Sequence, residues 1–389
     1  MIHRHQFYEF FAGGGMARAG LGDGWSCLFA NDFSEMKARA YIENWGSEHF
    51  VCGDVARIGA DQLPQQADLV WASFPCQDLS LAGNCRGLGD AASEVMTRSG
   101  TFWPFWVLMM KLREEKRAPR LIVLENVIGA LTSRNGRDFE AICEALRTGG
   151  YRYGAVVMDA NHFVPQSRPR VFFIAVDKDL PVSPALHGAD ANPFWHPAVL
   201  CGAHARLSDV AAREWMWWSM PSPPRRNIGF IDIIEEKPTG CRWHSKAETD
   251  RLLAMMTPLH LQKIEQAKAS GRKSVGGVYK RTRTDATGIK RQRAEVRFDD
   301  TAGCLRTPAG GSSRQSIIVV EGKSVRSRLL SSREAARLMG LNDSYKLPAR
   351  YNDAYHVSGD GVCVPVVRYL ASTLLEPLLT PDRADSMAA

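Results

Sequence analysis

The chain has no run of eighteen apolar residues, no C-x-x-C pair and no internal repeat, and each absence removes a class of protein. A membrane-spanning helix is not expected, because crossing the hydrocarbon takes about 20 apolar residues. Nine scattered cysteines read as reduced thiols of a cytoplasmic protein rather than a disulfide framework. The lack of a repeat excludes solenoids and propellers. Two C-x-x-H pairs, Cys201/His204 and Cys241/His244, lack the paired-cysteine spacing of structural zinc, so no metal is expected. The strand-like Phe7-Tyr8-Glu9-Phe10-Phe11 starts so near Met1 that no signal peptide is expected. The 389 residues are 45% hydrophobic and 23% charged, enough for one large globular domain and a smaller one.

The formal charge of +7 is unevenly spread. Lys268, Arg272, Lys273, Lys280, Arg281, Arg283, Lys290, Arg291, Arg293 and Arg297 are opposed within their stretch only by Asp285 and Glu295. A solvated face explains such a run, and so does a polyphosphate-binding surface.

Through about residue 180 the pattern alternates between strand and helix, which predicts a Rossmann-like α/β fold, a mixed sheet with helices on both faces. Strands are predicted at Gln6–Phe10, Trp25–Asn31, His49–Cys52, Leu69–Ser73, Leu121–Glu125, Tyr153–Met158 and Arg170–Val176. Helices are predicted at Met16–Leu21, Phe33–Asn44, Phe102–Glu115 and Arg137–Thr148, the last stopped by Gly149-Gly150. Beyond Asp177 prolines and tryptophans crowd in and periodicity fades, apart from one helix over Lys246–Lys268. A capping box opens a helix at Ser331, and an apolar helix over Val364–Leu375 closes the fold. The expected division is residues 1–180, a smaller irregular domain over 181–345, and a segment 346–389 returning to the first. The tail from Thr380 reads as disordered.

Chemistry gathers at the strand ends. Glu9-Phe10-Phe11-Ala12-Gly13-Gly14-Gly15 follows the first strand and opens the first helix, where glycines let the backbone pass close to a ligand. Asn31-Asp32 ends the second strand seventeen residues past Gly15, where a Rossmann-like sheet grips ribose hydroxyls. Gly53-Asp54-Val55 ends the third. These positions favour a nucleoside-containing cofactor. Phe74-Pro75-Cys76-Gln77 follows an apolar strand and presents a thiol at a turn, where its thiolate can be favoured. Leu124-Glu125-Asn126-Val127 and Gln166-Ser167-Arg168-Pro169-Arg170 come next. A thiolate, a carboxyl and an arginine in one cleft suit nucleophilic attack on an electron-poor ring.

In this order the motifs resemble the cytosine-C5 DNA methyltransferases, of bacterial or phage type, which use S-adenosylmethionine. The resemblance runs on through Arg328–Gly340 and Gly359–Val367 and so spans nearly the whole chain. It implies that Cys76 attacks C6 of a cytosine flipped from the duplex, because C5 is out of reach inside the stack. Glu125 would donate to N3, in a protonated form that burial favours, and Arg168 would contact O2. Arg170 would support Glu125, with Gln77 and Asn126 completing the catalytic group. Phe11, Gly13 and Gly15 would form the turn on the methionine side of the cofactor, and Pro75, Phe102, Asp360 and Val362 would also bind it. Asp32 would hold its ribose, Phe33 would stack on adenine, and Asp54 with Val55 would meet the adenine edge. Ser80, Arg86 and Arg98 belong to a segment matching the mobile loop that closes over DNA. Residues from about 180 to 301 match the target-recognition region, which places Arg281, Arg283, Arg291 and Arg293 on DNA, with Arg306 and Arg314 in the turn after it.

The chain departs from the family pattern at Asp32, usually Glu, at Phe33, often Trp, and at Asp360, usually Asn. Three other readings compete: methylation of RNA, a non-catalytic DNA-binding relative, and a nicotinamide oxidoreductase. The long basic region favours duplex DNA over RNA, the intact Cys76, Glu125 and Arg168 favour catalysis, and a nicotinamide enzyme leaves Cys76-Gln77 unexplained. The protein is expected to act as a monomer, as half of a restriction–modification pair with a cognate endonuclease or alone.

Overall fold

The computed structural model describes residues 4–75, 99–284, 288–306 and 314–380, with the side chains of Ser99 and Arg283 undescribed. Cys76, Gln77, Ser80, Arg86 and Arg98, and the tail beyond Thr380, therefore lie outside the described residues. By its internal contacts the chain divides into two units. One comprises residues 1–159, 169–223 and 361–389, and the other 160–168 and 224–360.

Apolar strands without alternation build the first unit, because a parallel sheet covered on both faces buries every side chain. Its seven strands are β1 (His5–Phe10), β2 (Trp25–Asp32), β3 (Phe50–Cys52), β4 (Leu69–Ala72), β5 (Leu121–Val127), β6 (Tyr151–Asp159) and β7 (Pro169–Asp177). They lie in the order β3-β2-β1-β4-β5-β7-β6. The first five are parallel, and β7 runs antiparallel between β5 and β6, so the sheet is mixed as expected. Helices α1 (Met16–Leu21), α2 (Glu35–Trp45), α3 (Phe102–Glu114) and α4 (Arg137–Thr148) connect the strands. The chain leaves β1 toward β2 and β3, then returns to β4 on the other side of β1. That reversal makes the carboxyl ends of β1 and β4 the topological switch point, where open α/β sheets bind ligands.

Residues 181–223 belong to this unit, not to a second domain beginning at 181. They form α5 (Ala198–His204), α6 (Asp209–Arg213) and the short pair β8 (His187–Gly188) and β9 (Trp217–Trp218). The physical reason is Gly154 on β6, where a Cβ would collide with the carbonyl of Met216. Met216 N–H donates to Tyr153 O at 2.7 Å, extending the sheet beyond its edge strand.

The second unit is regular rather than irregular. Strands β10 (Ser274–Thr284), β11 (Lys290–Arg297), β12 (Ser316–Glu321) and β13 (Ser324–Leu329) form an antiparallel sheet in the order β11-β10-β12-β13. The single helix expected over Lys246–Lys268 is two, α7 (Lys246–Ala254) and α8 (Pro258–Ala269). Pro258 has no N–H to continue the first, and the preceding Thr257 is extended (ψ 162°) as proline requires. Leu252, Met256, Ile264 and Ala267 of this pair close over Val278, Ala294, Val296, Ile318 and Val320 of the sheet. Helices α9 (Ser332–Leu338) and α10 (Tyr351–Asp360) follow, α9 with the predicted capping box of Ser331 and Glu334.

Helix α11 (Val364–Leu370) belongs to the first unit again and continues through a π-helical turn into α12 (Glu376–Leu379). Gly20 of α1 permits this return, since a Cβ there would collide with Val367. The division thus falls at Asp360/Gly361, not at 345/346. The stretch Tyr351–Leu379 is long and apolar enough to cross a membrane, but more than half of its apolar window is buried. Its helix is also broken at Gly361–Cys363, so it reads as core.

Candidate active site

At the switch point β1 ends in a strained turn. Phe11 sits at φ 56° and Gly13 at φ 57°, a region that costs a bulky residue energy and glycine little. Three bonds hold it: Ala12 N–H donates to Asn31 O (2.9 Å), Gly15 N–H to Ala12 O (2.8 Å), and Gly13 N–H to Asp32 Oδ2 (2.9 Å). Gly15 (φ 77°) has a second constraint, for a Cβ there would collide with Trp45 and Tyr41 of α2.

Asp32 is buried and holds two backbone donors, Gly13 N–H on Oδ2 and Ser34 N–H on Oδ1 (2.9 Å). Each carboxylate oxygen keeps a further lone pair, so a diol could still be accepted. Beside it Phe33 is 72% exposed, an aromatic face with nothing packed over most of it. Asn31 donates to Val51 O and Gly53 O, both at 2.9 Å, locking β3 to β2 just before Asp54. Asp54 caps the turn that follows by accepting from Ala56 N–H (3.0 Å). A glycine turn, a buried carboxylate and an exposed ring at one strand edge fit an adenosyl cofactor.

One cofactor expectation needs correction. Phe102 is fully buried, packed in the hydrophobic core on Phe74, Phe105 and Trp106, and cannot face a ligand. Val55 and Val362 are buried as well. Pro75 is half-buried at the end of the described segment, and Asp360 is exposed at the end of α10.

The end of β5 carries the first half of the catalytic group. Glu125 is buried, and Arg170 Nε lies 3.2 Å from its Oε1. The register explains the pairing: Arg170 on β7 stands opposite Val127, diagonal to Glu125 on the same face. Arg170 also donates to Pro169 O (2.9 Å), which orients the guanidinium. Asn126 donates to Phe74 O (3.1 Å), so it anchors the turn that leads to Cys76.

Arg168 belongs to the second unit. Its segment bridges to Ala302, with Ser167 N–H donating to Ala302 O (2.9 Å) and Ala302 N–H to Pro165 O (2.8 Å). The buried Arg168 guanidinium donates to Leu305 O (3.1 Å) and Gly359 O (2.9 Å) and reaches Cys304 Sγ at 3.3 Å. Gln166 reinforces the same clasp, accepting from Leu305 N–H (3.0 Å) and donating to Leu338 O (2.7 Å).

Of the basic residues expected on DNA, Arg281, Arg291 and Arg306 are exposed and Arg293 is half-buried. Arg314 lies over the Tyr351 ring at 5.3 Å and lines a cavity of about 580 Å³ with Arg242, Arg350 and Tyr351.

Sequence reasoning missed Glu9. It is 1% exposed beneath the glycine turn, takes backbone N–H groups of Ala17 and Arg18, and burial pushes its carboxyl up to about 8. The Arg18 cation opposes that rise and the Asp32 carboxylate adds to it. Arg18 in turn donates to Tyr41 OH (3.0 Å), and Trp45 Nε1 donates to Gly14 O (3.0 Å). One acid inside an apolar strand was the only available signal.

The sequence model of the C-5 cytosine-specific DNA methylase family matches residues 5–376. The chain belongs to this family. Among proteins similar to this cytosine methylase chain is the Type II methyltransferase M.BsuFI of Bacillus subtilis. It is 25% identical over 378 residues, covering 97% of this chain and 74% of that one. Type II methyltransferase M.HpaII of Haemophilus parainfluenzae is 26% identical over 380 residues, covering 96% and 89%. In fold the methylase resembles the S. pombe Dnmt2 methyltransferase, with a TM-score of 0.59 at 17% identity over 97% of this chain and 100% of that one.

Proposed function

We propose that the protein transfers a methyl group from S-adenosylmethionine to C5 of a cytosine in duplex DNA. The family match along residues 5–376 carries the reading, and the glycine turn after β1 and the Glu125–Arg170 pair, where the carboxyl end of β5 meets the start of the antiparallel β7, support it. When bound, the cofactor supplies an electrophilic methyl on a sulfonium. Asp32 accepts its ribose hydroxyls, Phe33 stacks on its adenine, and Asp54 meets the adenine edge.

Cys76 Sγ bonds to C6 of the flipped base, and the ring electrons displaced toward N3 are met by a proton from Glu125. Arg170 fixes that carboxyl through Oε1. Arg168 donates to O2. Once C5 carries the methyl, its proton leaves to water, the electron pair re-forms the C5–C6 double bond, the sulfur departs as thiolate, and N3 returns its proton to Glu125. The residue at 76 must therefore be both a nucleophile and a leaving group, which a thiolate is and an alcohol at neutral pH is not. In the cell the protein would act within a restriction–modification system or alone.

The test is Cys76→Ser assayed with labelled S-adenosylmethionine on duplex DNA and on tRNA. Wild type should label the duplex, and the variant should lose at least several orders of magnitude while binding the cofactor normally. Label in tRNA alone, or near-normal turnover by the serine variant, overturns the reading.

A further inference from the structure

The hairpin of β10 and β11 carries its arginines in register. Arg281 stands directly opposite Arg293, and Arg283 opposite Arg291. Opposed residues of an antiparallel pair share a face, and like charges so placed destabilise the pair. Arg281, Arg291 and Arg293 therefore lie on one face. Val278, Ala294 and Val296 alternate onto the other and are buried against α7 and α8. One substitution in each opposed pair would relieve that repulsion.

The same hairpin outruns its sheet. β12 pairs with β10 only along Ser274–Val278, whereas β11 pairs with it from Gly277 to Thr284. Beyond Val278 the described strands form a two-stranded ribbon, about 20 Å long at 3.4 Å per residue. A ribbon of that width enters the major groove, which is about 12 Å across and 8.5 Å deep.

The arginine face also has a fixed neighbour. Tyr279, on that face, packs so closely over Gly303 that a Cβ there would collide with its ring. Gly303 leads into Cys304 and Leu305, the residues clasped by Arg168. The Arg281 guanidinium lies 5.9 Å from the Tyr279 ring centre, and in its ion pair with Glu295 (3.5 Å) the arginine side chain stays 55% exposed. Ion pairs with so exposed a cation contribute about 0–1 kcal/mol, so the guanidinium can exchange this acceptor for a better one.

We propose that this ribbon lies in the major groove with its arginine face on the bases, and that Arg281 and Arg293 each read a guanine through O6 and N7. The two Cβ atoms of an opposed pair are about 4.5–5.5 Å apart, and base pairs are stacked every 3.4 Å. The guanines therefore occupy neighbouring base pairs, and the methylated site contains them. This rests on the methyltransferase reading and adds what the enzyme selects.

The test methylates a randomised duplex library with full-length wild type, R281Q, R293Q, R281K and R293K, and maps the methylcytosines. Wild type should return a site with two guanines in adjacent pairs. Each glutamine variant should lose the preference at one of them, with affinity for the wild-type site falling about 5- to 150-fold, the value of one bidentate arginine–base contact. The lysine variants keep the charge but not the planar fork. They should lose the same guanine while keeping the salt dependence of binding, which also separates readout from misfolding. If all variants return the wild-type site, or the glutamine variants weaken every duplex equally with a shallower salt slope, the arginines grip phosphates and the inference fails. If wild type labels no duplex in the library, the methyltransferase reading fails instead.

Discussion

Arg170 Nε lies 3.2 Å from Glu125 Oε1, with the two side chains only 15% and 9% exposed. Removing one member of a buried pair strands the other charge and costs about 3–5 kcal/mol. Arg170→Ala should therefore lower the melting temperature, and it should also change the pH profile of kcat/KM, because the partner of the proposed proton donor has gone. A double-mutant cycle separates the two roles. In a Glu125→Gln background, Arg170→Ala should cost far less stability and leave the residual pH profile unmoved. Equal costs in both backgrounds would show that the pair is uncoupled.

The catalytic edge was legible because its residues sit at strand ends that the hydrophobic pattern marks. Leu69–Ala72 and Leu121–Leu124 are buried on both faces, so an unbroken apolar run locates each strand and hence Pro75 and Glu125 after it. The β10–β11 ribbon was illegible for the opposite reason. Its arginines alternate with Lys280, Thr282 and Gln292, so the apolar face is confined to Val278, Ala294 and Val296, too few residues to give a period of two in hydrophobicity. The domain boundary failed at residues 181–223 because these pack on Tyr153 and Gly154 through irregular backbone and large aromatics, which leave no period either.

Glu9 couples stability to pH. Burial raises its pKa to about 8 from an ordinary 4.5, so the fold prefers the protonated form. The preference is fully present below about pH 4.5 and is lost as pH rises through about 8. The charged and titratable neighbours that set it are Arg18, Asp32, Tyr41 and Cys27. Glu9→Gln keeps the shape without a charge to bury. Between pH 5 and pH 8.5 the melting temperature of wild type should fall relative to the variant, and parallel curves would assign the trend to other groups.

Asp32 serves the turn and the proposed cofactor at once, since Gly13 N–H and Ser34 N–H occupy one lone pair on each oxygen. In Asp32→Asn one of these acceptors becomes an amide that can only donate. The bond lost is charge-assisted, of a class that contributes about 1.5–3 kcal/mol. S-adenosylmethionine affinity measured by equilibrium dialysis should fall roughly 10- to 150-fold by that conversion. Replacing Phe33 with Leu should weaken affinity without disturbing the turn, because 72% of that side chain is exposed. An Asp32→Asn protein that binds the cofactor normally would remove Asp32 from the site.

Arg328 and Glu334 have no exposed side-chain surface at all, and the guanidinium meets the carboxylate as a fork, at 2.7 Å and 2.5 Å. Glu334 is simultaneously the capping-box acid of α9, accepting from Ser331 N–H at 2.8 Å, and Arg328 lies over Trp243 at 4.8 Å. The pair thus joins β13 to α9 inside the second unit. Desolvation offsets most of its Coulomb attraction, so the pair matters less for what it adds than for what breaking it leaves behind. Arg328→Met should destabilise the protein by about 3–5 kcal/mol. The double variant Arg328→Met, Glu334→Leu should recover much of that loss, minus the cap of α9, which is worth about 0.5–2 kcal/mol. Urea denaturation of the two variants checks both values. A double variant no more stable than the single one would mean that the carboxylate, through its cap, is the dominant member of the pair.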